Sequence, residues 1–150
     1  MALARSIVSL FDRCRSHVFS ARPKDPRAEL GLRGEKLAAR LLRRHGYKVL
    51  ARRFRARGGG EVDIVCRHGD TLVFVEVKTR TGLAYGRPGE AVDTAKQALI
   101  VRGATAWLRM LKTPDILYRF DIVEVLVAAD GTAACEIIAN AFTPPDSQLR

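Results

Sequence analysis

The chain has little of what usually announces a function. Its three cysteines, Cys14, Cys66 and Cys135, are an odd and scattered set with no pair at metal-ligand spacing. That excludes a disulfide framework and a cysteine zinc site, and it is the pattern of reduced thiols in a cytoplasmic protein. The three histidines, His17, His45 and His68, are as isolated, so each reads as a surface or turn residue and not as part of a histidine metal cage. No apolar run approaches the roughly 20 residues needed to cross a bilayer. The first twenty residues are interrupted by Arg5, Asp12, Arg13 and Arg15, and they lack the apolar stretch and cleavage site of a secretory signal. There are no internal repeats and no low-complexity segments. Acidic residues are few: 16 against 26 lysines and arginines, giving a net charge of +10 and a pI near 10.3. Such a balance favours a polyanionic partner, nucleic acid before an anionic membrane surface.

What is present is a chain of 150 residues, 47% apolar, which fits one domain with a real core. Pro23 and Pro26 discourage helix, so residues 1–26 read as a poorly ordered N-terminal extension. Residues 27–143 form the folded domain and residues 144–150 a tail. Leu30, Gly34, Leu37 and Leu41, widened by Ala38 and Leu42, predict a helix from Arg27 to His45, stopped by Gly46. Tyr47 to Arg55 alternates as a strand. Glu61–Cys66 and Thr71–Thr79 predict a hairpin turning at Arg67–Asp70. A loop around Tyr85 leads to a second helix N-capped by Asp93, with Val92, Ala95, Leu99, Gly103, Ala106 and Met110 as its buried stripe. Tyr118–Val127 and Cys135–Ala141 complete the strands. Arg40, Arg43, Arg44, Lys48, Arg52, Arg53, Arg55 and Arg57 form a run without an intervening acid, the expected contact for a phosphate backbone.

The hairpin carries the chemistry. Glu61, Asp63, Glu76 and Lys78 lie within its apolar runs, where ionised groups are costly unless paired or bound to a metal. An even-length turn pairs Cys66 with Thr71, Asp63 with Phe74 and Glu61 with Glu76. It then places Glu61, Asp63, Glu76 and Lys78 on one face with Val65, Leu72 and Phe74, and leaves Val62, Ile64, Val73, Val75 and Val77 on the other. A Glu76–Lys78 pair alone would not account for Asp63 and Glu61. Crowded carboxylates repel, a divalent cation relieves the crowding, and hard oxygen ligands suit Mg²⁺ or Mn²⁺. Asp63 and Glu76 are the expected metal ligands. Glu61 has three readings: a further ligand, a partner of a ligand, or a strand-entry residue reaching solvent. Lys78 is placed to orient or deprotonate a water, or to stabilise charge at a phosphate. On position alone Glu35 reads as a helix-surface acid.

Gly34-Glu35-x-x-Ala38, Gly59-Gly60-Glu61-x-Asp63, Val73-Phe74-Val75-Glu76-Val77-Lys78-x-Arg80, Ala91-Val92 and Lys96-Gln97 together resemble the YraN-like bacterial family of endonuclease-like proteins. Asp63 followed by Glu76-Val77-Lys78 is similar to the PD-(D/E)XK pattern of the restriction-endonuclease-like superfamily. The resemblance covers roughly residues 30–142. It implies an α/β fold, a restriction-endonuclease-like core in αβββαβ order with a central mixed sheet flanked by helices. It implies a Mg²⁺- or Mn²⁺-dependent nuclease acting on DNA, including branched, flapped or single-stranded forms, with Asp63 and Glu76 as metal ligands and Lys78 as the catalytic lysine. It raises Glu35 to a further acidic site residue and adds Arg80 and Gln97 to the candidate DNA contacts Arg43, Arg44, Arg52, Arg53, Arg55 and Arg57. It allows a homodimer and implies no membrane partner. Val62 departs from the broader pattern, which often has proline there. The competing expectation is a nucleic-acid-binding protein that keeps the fold without catalysis.

Overall fold

A computed structural model describes residues 25–82, 92–113 and 115–145. Residues 1–24 of the expected extension, the loop around Tyr85 and residues 146–150 of the expected tail lie outside the described residues; Asp25 and Pro26, expected to belong to the extension, instead cap and open a helix, because proline is tolerated in a first turn. Helix α1 (Pro26–Arg44) begins where its chemistry dictates. The Asp25 carboxylate accepts from the Arg27 N–H at 3.0 Å, and Pro26 falls in the first turn, where a missing N–H costs nothing. Glu29 in the first turn and Arg43 and Arg44 in the last complement the helix dipole.

Strands β1 (Lys48–Ala56), β2 (Gly60–His68) and β3 (Thr71–Thr81) follow as an antiparallel meander. Helix α2 (Thr94–Leu111) then crosses over to β4 (Tyr118–Val127), which lies parallel to β3, and β5 (Ala133–Phe142) closes the sheet antiparallel to β4. The result is a five-stranded mixed sheet in the order β1-β2-β3-β4-β5 with a helix on each face. This is the expected α/β class with a restriction-endonuclease-like core.

The central strands are buried on both faces, which is why β2, β3 and β4 read as nearly continuous apolar runs. Ala38, Ala39 and Leu42 of α1 pack on Ile64, Cys66, Val73, Val75, Val123 and Val125. Ile100, Val101, Ala104, Trp107 and Leu111 of α2 pack on Val62, Val65, Phe74, Phe120 and Ile122. Each large apolar side chain so enclosed contributes about 1.5–3 kcal/mol. Two glycine contacts set how near the helices lie. A Cβ on Gly34 of α1 would run into the Thr79 hydroxyl, and a Cβ on Gly60 of β2 would run into the backbone of Arg102 and Gly103 of α2.

Three details differ from the sequence expectation. The hairpin turn is two residues long, with His68 opposite Thr71, Cys66 opposite Val73 and Val65 opposite Phe74. Each pairing is thus two residues from the expected one: parity is kept, but Glu61 does not face Glu76. Val62 joins the α2 core and not the α1 core with Ile64. The β1–β2 ladder passes from Arg52↔Ile64 to Phe54↔Val62 across Arg53, whose φ of 54° is left-handed, and the strands change face there. Helix α2 is also rotated from expectation: Ala95 and Met110 are exposed, while Ile100, Trp107 and Leu111 are buried. Both sets recur at helical spacing, and the larger side chains win because they remove more apolar area from water.

Candidate active site

The site forms where β2 parts from β3. Their ladder ends at Ile64↔Val75, while β2 continues along β1 to Gly60. The Val77 N–H, which would otherwise lack a partner there, donates to Asp63 Oδ2 at 2.8 Å. Asp63 is thereby fixed by the backbone of the strand that carries Glu76. Glu76 is buried, 8% exposed, and its Oε2 has no hydrogen-bond partner. Burial first, and then the charge of Asp63, push the Glu76 carboxyl up to about 8.

Glu35 reaches the same place from α1, brought close by the Gly34–Thr79 contact. Its side chain is 14% exposed, and Oε2 lies 4.0 Å from Arg52 Nη2 and 3.8 Å from Arg53 Nε. Burial and the Asp63 charge raise its carboxyl above the ordinary range, against the pull of Arg53, Arg52 and Arg55. Glu35 is therefore a member of the acidic cluster and not a solvated helix residue. Glu61 is held differently. Its Oε1 accepts from Lys96 Nζ at 2.5 Å, and that hydrogen bond holds its carboxyl below the usual range.

Lys96 is the residue that sequence reasoning left without a role. Its ammonium lies 2.5 Å from Glu61 and 3.4 Å from Glu76 Oε1. Burial alone would depress it; the bond to Glu61 and the charges of Glu76, Asp63 and Glu61 outweigh that and raise it. The available signal was a basic residue one turn from the Asp93 cap, where the dipole favours acids. A cation there implies a local carboxylate partner.

Lys78 follows Glu76 on β3, half-buried, opposite Glu124 in the parallel ladder. Gln97 does not face outward as a free contact: its Nε2 donates to the Val92 carbonyl at 2.8 Å. Arg43, Arg44, Arg52, Arg53, Arg55 and Arg57 are all exposed, and Arg80 is half-buried. Arg52 and Arg53 serve Glu35 as well as the surface. Among the described residues, no three carboxylate, imidazole or thiolate groups are drawn together into a ready metal cage. The donor set nevertheless fits a hard divalent cation. It holds an unpartnered buried carboxylate oxygen on Glu76, the Asp63 carboxylate beside it, and no soft ligand. Cys66 is buried, its thiol pushed up to about 12 by burial, and it has no place in such chemistry.

A second polar cluster also escaped the sequence reading. Asp121 of β4 is fully buried. It accepts from Tyr47 Oη at 3.1 Å, from Arg119 Nε at 2.9 Å and from the Asn140 N–H at 2.9 Å. His68 stacks on Tyr47 with ring centroids 4.0 Å apart and lies 3.1 Å from Arg119 Nη2. These bonds satisfy the Asp121 carboxylate, so the cluster ties the residue before β1 to β2, β4 and β5 and exposes no reactive group.

The mixed sheet and its two helices define an α/β protein with a restriction-endonuclease-like core, and the carboxylates gather where β2 parts from β3. Residues 34–125 match the family described as Uncharacterised protein family UPF0102. The chain is 47% identical over 113 residues to the UPF0102 protein STH1475 of Symbiobacterium thermophilum, a match covering 75% of this chain and 95% of that one. It is 49% identical to the UPF0102 protein GSU0650 of Geobacter sulfurreducens, covering 75% and 88%. A solved structure titled "Crystal structure of SSO0001" aligns with 95% of this chain and 64% of its own at 14% identity, with a TM-score of 0.33. The chain belongs to the UPF0102 family, which is the YraN-like family its motifs resemble.

Proposed function

We propose that the protein is a Mg²⁺- or Mn²⁺-dependent nuclease that hydrolyses phosphodiester bonds in DNA. The observation that carries this reading is Glu76: a buried carboxylate with one unpartnered oxygen, crowded by Asp63, at the strand parting of a nuclease-like fold. Asp63 and Glu76 would hold the cation, with Glu61 able to join once Lys96 lets it go. A cation held there would supply Lewis acidity toward a phosphate oxygen and toward water. Lys78, two residues beyond Glu76 on β3, would orient an attacking water or neutralise charge growing on the phosphate. Glu35 adds negative charge on the α1 side and is held in place by Arg52 and Arg53. The exposed Arg43, Arg44, Arg55 and Arg57 position the backbone without reading bases. No described helix is long and apolar enough to cross a membrane. The free thiols of Cys66 and Cys135 support a cytoplasmic setting.

The test is incubation of the purified chain with single-stranded, duplex, flapped and four-way DNA in Mg²⁺ or Mn²⁺. Asp63→Asn, Glu76→Gln and Lys78→Ala are expected to lose about two orders of magnitude or more in cleavage rate. Wild-type protein that cuts none of these, or variants that cut as well as it does, would overturn the assignment. One observation favours a second reading, a nucleic-acid-binding protein without catalysis: Lys96 already pairs with Glu61 and lies 3.4 Å from Glu76, where a cation would sit. In that case the three variants bind DNA like the wild type and neither they nor the wild type cleave.

Stability should report the acidic cluster independently. The Glu76 carboxyl is raised from an ordinary 4.5 to about 8, so the folded chain keeps a proton that the unfolded chain has released. Metal-free stability therefore falls as the pH rises from about 4.5 towards 8, by a few kcal/mol. Thermal melts across that range in EDTA should show the decline, and Mn²⁺ should reverse most of it near the upper end. A flat or rising profile would contradict the burial of Glu76 as a crowded acid.

A further inference from the structure

An open cavity of about 610 Å³ lies where α2 passes the β1–β2 turn. Arg55 and Arg57 of β1 and its turn, and Arg102 and Arg109 of α2, stand around it, with Phe54 and Met110 as apolar walls. No carboxylate lines it. All four guanidinium groups belong to exposed residues, and among the described residues none of them has an ion pair within 4.0 Å. Four cations around one concavity whose lining holds no carboxylate repel each other, and an anion between them removes that cost.

Charge is only half of the lining. Phe54 is held edge-on against Trp107, ring centroids 5.1 Å apart at 89°, and Met110 is 37% exposed. A bare phosphate has no use for an apolar wall, and an apolar ligand has no use for four guanidiniums. A positive groove with an aromatic platform suits single-stranded nucleic acid, whose bases stack while its phosphates are held. The volume is that of a small-ligand site, too small for a duplex and sufficient for an extruded or unpaired nucleotide. The cavity also adjoins the acidic cluster. Gly60 lines it, the next residue is Glu61, which holds Lys96, and Arg55 pairs with Glu61 across the β1–β2 ladder. Gly58 and Gly60 add no side chain to the lining.

We propose that this cavity binds an unpaired nucleotide of a DNA strand, its base against Phe54 and Met110 and its flanking phosphates on Arg55, Arg57, Arg102 and Arg109. The substrate class would then be single-stranded or flapped DNA and not continuous duplex. The choice of ligand rests on the nuclease reading, but its test does not require catalysis.

The measurement is fluorescence anisotropy of a labelled oligothymidylate and of a duplex of equal length, in EDTA, with the full chain. Arg102→Gln/Arg109→Gln should weaken single-strand binding by about tenfold or more and flatten its log–log salt dependence by about 1.4, two contacts at about 0.7 each. Duplex affinity should change by less than about threefold. Ala106→Trp, which fills the cavity and keeps its charges, should produce the same loss for the single strand alone. Equal losses for both DNA forms, or no loss for either, would overturn the proposal. So would displacement of the oligonucleotide by inorganic phosphate or polyglutamate as effectively as by unlabelled oligothymidylate. A wild type that shows the expected binding pattern but cuts no DNA refutes the nuclease reading and leaves the cavity assignment standing.

Discussion

Replacing Asp121 with alanine is expected to cost about 3–5 kcal/mol of stability, because it removes one member of a buried charge pair and strands the other. Asp121 is fully buried and Arg119, its partner, keeps 23% of its side-chain surface exposed. The Tyr47 hydroxyl would keep its bond from Arg119, but the Asn140 N–H would have no acceptor. Asn140 sits at φ 51°, where the β4–β5 ladder steps from Phe120↔Phe142 to Ile122↔Ile138. The loss should thus fall on the β5 edge as well as on the Tyr47–His68 stack. Urea unfolding should show a lower midpoint with an unchanged slope. Asp121→Asn, which keeps acceptor and shape, should cost less than half as much. An alanine variant within about 1 kcal/mol of wild type would mean that water replaces the carboxylate at little cost.

Lys96→Met is expected to separate stability from metal affinity. The ammonium lies between Glu61 and Glu76, so it occupies charge that a divalent cation would otherwise satisfy. Without it, Glu61, Asp63 and Glu76 repel, and the metal-free chain should lose about 1–3 kcal/mol near pH 8. The same repulsion should make Mn²⁺ bind about tenfold tighter or more, since the ion no longer has to displace a lysine. Calorimetric titration of both proteins reads this directly. Weaker Mn²⁺ binding in the variant would show that Lys96 supports the carboxylates in their metal-binding arrangement and does not compete for them. The charge count at the site would then have to be revised.

Most of the architecture was legible in the chain because its signals are local. Asp93 caps a helix, Gly46 stops one, and the β-branched runs of β3 and β4 have no competing period; the Asp25 cap escaped because the two nearby prolines pointed away from helix. Tyr118–Val127 coincides with its expected strand. The acidic cluster was legible because Asp63 and Glu76 are chemically out of place in such runs. What escaped depends on distant partners. The two-residue slip in the hairpin keeps parity and so leaves no trace in an alternating pattern. Val62 changes face because of the backbone at Arg53, a residue on another strand. Lys96 and Glu61 are 35 residues apart, and nothing in either neighbourhood names the other. Asp121 looks like one charge in an apolar strand until Tyr47, Arg119 and Asn140 are set around it.

The Gly60–Gly103 contact gives α2 a fulcrum. Gly103 is pressed on β2, with an added Cβ only 2.9 Å from Val62 Cγ2. Lys96 lies about 10 Å from it along the helix axis in one direction and Arg109 about 9 Å in the other. The helix is a rigid beam with nearly equal arms, one end over the carboxylates and the other over the cationic cavity. The same helix is packed on the sheet through Ile100, Val101, Ala104 and Trp107, so Lys96 over the carboxylates and Arg109 over the cavity keep a separation of about 20 Å along its axis.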